Sequence, residues 1–179
     1  MKKIILLSLL VLNFAFINAQ IYTTRNGFIG FYSKTPLEDI KAENKQVYAV
    51  IDGGKKMLGF NLLVKGFSFT KKLMQEHFNE NYIESDKYPN SRFTGTYTGD
   101  VDLLKDGVYK IQVQGDLTLH GVTKPLNVPA TIEVKDGKLI GISYFKLTPS
   151  DYDIKIPAVV REKIAQQIDV HVSINCNPK

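Results

Sequence analysis

From Tyr109 to Lys135 the chain alternates apolar and polar side chains through two long runs that meet at a compact His120-Gly121-Val122-Thr123-Lys124-Pro125 corner. In the first run Tyr109, Ile111, Val113, Leu117 and Leu119 fall on one face. Lys110, Gln112, Gln114, Asp116, Thr118 and His120 fall on the other, because successive side chains of a strand take opposite sides of a sheet. The second run sets Leu126, Val128, Ala130, Ile132 and Val134 against Asn127, Thr131, Glu133 and Lys135. Two neighbouring strands with one apolar face each need a common interior, and a sheet closed into a barrel supplies one.

Strand signals separated by turn residues recur along the rest of the chain, the mark of an all-β sandwich or barrel rather than of βαβ units. Asn26-Gly27 precedes the first strand, Gly53-Gly54 divides two others, and Asp106-Gly107 and Asp136-Gly137 read as hairpins. The strands expected are 27–33, 37–51, 57–66, 91–104, 107–119, 125–135, 138–148 and 167–175. Eight antiparallel strands close a barrel whose bore either fills with side chains or holds one small ligand. Two segments depart from period two. Thr70 to Asn81 is expected as a helix, capped by Thr70, with Leu73, Met74, His77 and Phe78 on one face. Pro157 to Gln166 mixes helical spacing with a proline suited to a first turn.

Residues 1–19 read as an export signal: Lys2 and Lys3, an apolar run from Ile4 to Ile17, and a small-residue cleavage site at Ile17-Asn18-Ala19. The run is shorter than the roughly 18–20 residues of a membrane-spanning helix, so cleavage is expected and a retained anchor is the lesser reading. Residues 20–179 form one domain of a size ordinary for a barrel. Without Lys2 and Lys3, 21 of the 23 Lys and Arg remain against 18 Asp and Glu, a mild excess spread along strands and turns. No basic patch supports nucleic-acid binding. Cys176, the lone cysteine, continues the face of Ile168, Val170, Val172 and Ile174 and is expected buried rather than reactive.

The chain offers little for catalysis. Nucleophilic chemistry needs a serine or cysteine beside a histidine, yet Cys176 and His171 fall on opposite faces of one strand and no G-x-S-x-G turn occurs. His120 reads as a corner residue whose ring bonds a turn carbonyl or side chain. Glu76, His77 and Glu80 read as a solvated acidic face, not a metal site, and Asp151 and Asp153 as turn formers. The expectation is a protein that is not an enzyme and carries no cofactor or metal.

Apolar side chains are where a function could lie. Leu58, Phe60, Leu62 and Val64 point inward from one strand, Phe67 and Phe69 follow, and Leu73 and Phe78 belong to the helix. Tyr88, Phe93 and Tyr97 continue the aromatic series, and Ile111, Val113 and Leu117 come from the run described first. A filled core would use the same residues, so periodicity leaves core and cavity equally open.

Two stretches carry a resemblance: LMQEHFNENYIESDKYPNSRFTG, from Leu73 to Gly99, and GDLTLHGVTKPLNVPATIEV, from Gly115 to Val134. Their His-Phe helix end, Tyr-Pro before a Phe strand and LTLHGVTKP hairpin are similar in order and spacing to the YceI-like family of lipid- or polyisoprenoid-binding periplasmic proteins. The similarity extends loosely from Arg25 to Asn175. The first strand, NGFIGFYSKT, lacks the histidine that many relatives carry after theirs. The resemblance implies an antiparallel lipocalin-like β-barrel with one short helix covering a mouth, a periplasmic or secreted address and a homodimer. It implies a cargo of polyisoprenoid, isoprenoid quinone or other apolar lipid. The inward set just named, with Tyr82 in place of Tyr88, would line the cavity, and His77, Asn79, Asn81 and Tyr82 would form its polar rim. The competing expectation is a filled barrel with a structural, stress-protective or protein-interaction role and no ligand.

Overall fold

The computed structural model describes residues 20–179; the export signal read in residues 1–19 lies outside them. Nine strands follow the chain: β1 Ile21–Lys34, β2 Asp39–Asp52, β3 Met57–Leu63, β4 Ser68–Phe69, β5 Asn90–Thr98, β6 Gly107–Leu119, β7 Val122–Lys135, β8 Lys138–Leu147 and β9 Ile168–Pro178. One short helix, α1, spans Lys72–His77 and continues as a π-helical turn over Phe78–Tyr82. The eight longer strands pair antiparallel in the order β1-β9-β8-β7-β6-β5-β3-β2, and β2 returns to β1. The sheet therefore closes into a barrel, and the two-residue β4 adds to β2 at Ala42 and Glu43. Closure pairs the edge strands that would otherwise be left open.

The corner between β6 and β7 is tighter than its six-residue motif suggests. Leu119 pairs with Val122, so only His120 and Gly121 turn, with φ of 51° and 74°. Asp136-Gly137 makes the same turn between β7 and β8, with φ of 50° and 71°. Two-residue turns with both φ positive match the right-handed twist of the strands they join, and Gly in the second place accepts that backbone without a Cβ penalty.

Other boundaries differ from the sequence reading. Asn26-Gly27 forms no leading turn; β1 starts at Ile21 and crosses this pair as a bulge, with register shifts against β2 between Thr24 and Ile29. The strand expected over 91–104 stops at Thr98, where Gly99 takes a φ of 122°. Gly99–Asp106 is a loop, and Asp106-Gly107 is its end rather than a hairpin turn. The loop turns back because Val101 and Leu103 pack on the core, Leu103 resting on Gly53. Helix α1 is shorter than the twelve-residue segment expected, and Lys71, not Thr70, occupies its N-cap without a side-chain bond. In place of a cap, Gln75 Oε1 accepts a bond from the Phe69 N–H at 3.2 Å. The ambiguous segment 157–166 resolves as a 3₁₀ stretch over Ala158–Lys163.

One end of the barrel is packed shut by Tyr22, Tyr97, Leu139 and Cys176, with Val101 and Leu103 against them. At the other end a second cluster, built on Ala42, Val47, Leu62, Val64, Phe67 and Ile83, lies beneath α1. The β7–β8 pairing stops at Ala130 and Ser143, so among the described residues Val122–Pro129 has no strand partner on the β8 side. Pro125 and Pro129 withhold two N–H groups from that free edge, which discourages pairing with another chain.

Candidate functional site

Inward-facing side chains leave a series of apolar cavities along the barrel. The deepest, about 110 Å³, lies between Ile51, Leu58, Phe93, Ile111, Val113, Val128, Ile132 and Ile174. A middle cavity of about 170 Å³ is lined by Val64, Phe67, Ile83, Leu119, Tyr152 and Val170 among others. These two share Ile29, Leu62, Ser91, Leu117, Phe145 and Val172 as walls. A third, about 210 Å³, lies at the mouth between β1, β2, α1 and the segment 149–168. It shares Phe31, Phe78, Pro149, Ile154 and Ile168 with the middle cavity. Walls this apolar give a water molecule too few polar partners, so such space stays dry and favours hydrocarbon.

Twelve of the fourteen residues expected to line a cavity do so. Leu58, Phe60, Leu62, Phe93, Ile111, Val113 and Leu117 line the deepest, and Val64, Phe67 and Phe78 the middle one. Phe69, Phe78 and Tyr82 line the mouth. The other two lie elsewhere. Leu73 is 61% exposed, because the inward side of α1 is formed by Met74, His77 and Phe78, spaced i, i+3, i+4, and Leu73 precedes that stripe by about 100°. Tyr97 is buried in the packed end of the barrel, below the deepest cavity. Burial there raises the pKa of its phenol. Tyr88, read as continuing the aromatic series, packs edge-on against His120, with ring centroids 4.6 Å apart.

Between the mouth and the inner space stands a group of four phenylalanines. Phe31 lies 5.1 Å from Phe67, 5.8 Å from Phe69 and 5.4 Å from Phe78, measured between ring centroids, and Phe78 contacts Phe67 and Phe69 as well. Phe31 and Phe78 face both cavities. Phe31 was not among the residues expected to line a cavity; its alternation with Ile29 along the first strand is the signal that could have found it, but only the return of α1 across the barrel sets it against Phe78. Val160 and Ile164, also at the mouth, come from the ambiguous segment 157–166, and Ile154 and Ile156 from the stretch just before it.

Polar groups gather at the mouth. His77 and Tyr82 of the expected rim are there, joined by Ser33, Glu38 and Lys163, whereas Asn79 and Asn81 do not line it. Ser33, itself buried, accepts a bond at its Oγ from the Ala165 N–H at 2.8 Å and ties the 158–166 segment to β1. The Lys71 ammonium, 2.6 Å from Glu38, holds that carboxyl below its usual pKa. Cys176 faces inward as expected, wholly buried, and burial pushes its thiol up to about 12. His120 bonds both a carbonyl and a side chain: Nδ1 lies 2.9 Å from the Tyr152 carbonyl oxygen and Nε2 2.8 Å from Glu84 Oε2.

A family model for the YceI-like domain matches residues 21–176, the barrel from its first strand almost to its last residue. The chain belongs to the YceI-like family. A UPF0312 protein of Pseudomonas putida is 32% identical over 99 residues, 52% of this chain and 47% of that protein. A UPF0312 protein of Photorhabdus laumondii is 43% identical over 60 residues, 32% and 28% of the two chains. The alignments thus span about half or less of these curated relatives. Among solved structures, a polyisoprenoid binding domain from Saccharophagus degradans, implicated in plant cell wall breakdown, superposes with a TM-score of 0.77 at 12% identity, covering 90% of this chain and 99% of that one. BcnA of Burkholderia cenocepacia gives 0.71 at 15%, covering 83% and 95%. The YceI protein of Campylobacter jejuni gives 0.61 at 21%, covering 77% and 84%. At these identities the likeness is one of fold.

Proposed function

We propose that this protein is exported to the periplasm or beyond and holds a long apolar lipid, a polyisoprenoid or isoprenoid quinone, inside its barrel. It carries or sequesters that lipid across water and catalyses nothing. The observation that bears most weight is the succession of three dry cavities with shared walls, deep, middle and mouth. Taken in series they reach the roughly 300–1,000 Å³ of an ordinary small-molecule site, in a form narrow and long rather than round. An isoprenoid tail has that form. Each CH₂ or CH₃ withdrawn from water contributes about 0.8 kcal/mol, offset by ordering of the chain, so affinity would grow with tail length until the packed end formed by Tyr22 and Leu139 is reached.

Orientation follows from the same asymmetry. The tail enters first, since the deep end has few polar side chains, and a head group stays beside Ser33, Glu38, His77, Tyr82 and Lys163. The polyisoprenoid-binding description of the Saccharophagus degradans domain agrees with this cargo. Native mass spectrometry and solvent extraction of protein purified from its own host provide the test. A stoichiometric lipid supports the reading; protein that is repeatedly empty, and that takes up no apolar probe, rejects it.

A further inference from the structure

His120 occupies an unusual electrostatic position. Its side chain is only 8% exposed, and both ring nitrogens face acceptors: the Tyr152 carbonyl oxygen at 2.9 Å and the Glu84 carboxylate at 2.8 Å. A neutral imidazole carries one N–H, and neither a carbonyl nor a carboxylate has a proton to donate. The two bonds therefore require one proton beyond those of a neutral histidine and an ionised glutamate.

The two partners end the two segments that cover the mouth. Glu84 follows the π-helical turn, whose end is fastened by bonds from the Ile83 N–H to the Phe78 carbonyl and from the Ser85 N–H to the Asn79 carbonyl. Tyr152 ends the Pro149–Tyr152 turn, and Ile154 beyond it lines both the mouth and the middle cavity while donating its N–H to the Pro149 carbonyl. His120 itself sits in the two-residue β6–β7 turn, with φ of 51°. Around it, Tyr88 covers the ring edge with Lys87 Nζ 4.9 Å from the Tyr88 ring centre, and in the neighbouring turn Asp151 pairs with Lys124 at 4.0 Å. Asp153 follows in that turn and is exposed. Thus among the described residues Glu84 alone supplies a carboxylate within bonding distance of the ring.

We propose that His120 is a proton-dependent clamp: with the shared proton present it staples both covering segments to the barrel, and without it one staple opens and the mouth loosens. The clamp is held at acid pH and weakens as pH rises. Its effect on lipid exchange rests on the cavity reading above; the clamp itself does not.

Two variants and two measurements test it. In Glu84→Gln the amide can donate to a neutral imidazole, so both bonds survive without the extra proton. His120→Asn keeps a residue that tolerates positive φ but cannot bridge both partners. Release of the neutral fluorophore N-phenyl-1-naphthylamine is followed by stopped flow at about pH 5.5 and about pH 8.5. Hydrogen-exchange protection of the Ile83, Ser85 and Ile154 amides is measured in parallel. Hydrogen bonds to charged groups are strong enough that wild-type release should be about tenfold faster, and protection lower, at the higher pH. Glu84→Gln should be insensitive to pH, and His120→Asn fast at both values. Wild type and Glu84→Gln sharing one pH profile in both measurements would overturn the clamp. Protection that shifts as stated while release stays constant would leave the clamp standing and overturn its role as a gate.

Discussion

Gly95 of β5 and Gly115 of β6 are direct register partners, so close that a Cβ built on Gly115 would lie 2.5 Å from the Gly95 Cα. The Phe93 ring covers the pair, its Cζ 2.9 Å from the same Cβ position. Gly115→Ala should therefore overpack this crossing and lower stability by about 1–3 kcal/mol, read as a reduced urea midpoint with little change in slope. Gly54→Ala, where the added methyl meets only Asp52 Oδ1 at 3.6 Å, is the control and should shift stability by less than about 1 kcal/mol. Equal effects would mean that β5 and β6 are not held this closely.

Leu62 forms a wall of both the deep and the middle cavity, and Phe60 lines the deep one. Leu62→Asp or Phe60→Asp places an unpaired carboxylate in dry space at a cost of several kcal/mol. Loss of folding or of probe uptake is expected, by circular dichroism and fluorescence titration. Undiminished uptake in a folded Leu62→Asp variant would show that β3 faces the other way.

Phe78 stands between mouth and middle cavity. Phe78→Ala should speed association of an apolar fluorophore while lowering thermal stability by about 3 kcal/mol or less, since the ring is only partly buried. Slower association, measured by stopped flow, would mean that the ring guides entry rather than obstructing it.

Leu73 and Met74 are sequence neighbours on opposite terms with the cavity. Leu73→Ser should change stability by less than about 0.5 kcal/mol and leave probe affinity unaltered. Met74→Ser should weaken the affinity, because Met74 lines the mouth.

Cys176 supplies a pH signature. Its thiol is pushed up to about 12 by burial, against an ordinary 9.0. Above the unfolded value the unfolded chain loses its thiol proton first, so the native state binds more protons and stability falls as pH rises. The loss should begin near pH 9 and run at roughly 1 kcal/mol per pH unit toward 12. Cys176→Ala should flatten that slope in urea titrations. A thiol reagent should label wild type only after unfolding.

Strand periodicity alone encodes most of this fold. The faces of β6, β7 and β9 follow from alternation, since each flanks one interior; the same rule placed Leu58, Leu62, Phe93, Ile111 and Cys176 inside. It failed where the chain leaves period two. Gly99 ends β5 because a loop anchored by Leu103 on Gly53 must turn back, and residues 53 and 103 are distant in sequence. Leu73 was misplaced because a six-residue helix has so narrow an inward stripe that one position of rotation moves a side chain into water.

By itself, then, the sequence determined an antiparallel barrel with a greasy interior, its turn chemistry at Asp136-Gly137 and the inward face of each long strand, all set by local periodicity and backbone preference. Only the tertiary structure decided whether that interior was solid or hollow. Vacancy depends on how side chains from strands far apart in the chain meet across the bore. The same holds for Phe31 against Phe78 and for His120 between Glu84 and Tyr152: each needs segments brought together by closure of the sheet, a long-range packing outcome that no local pattern encodes.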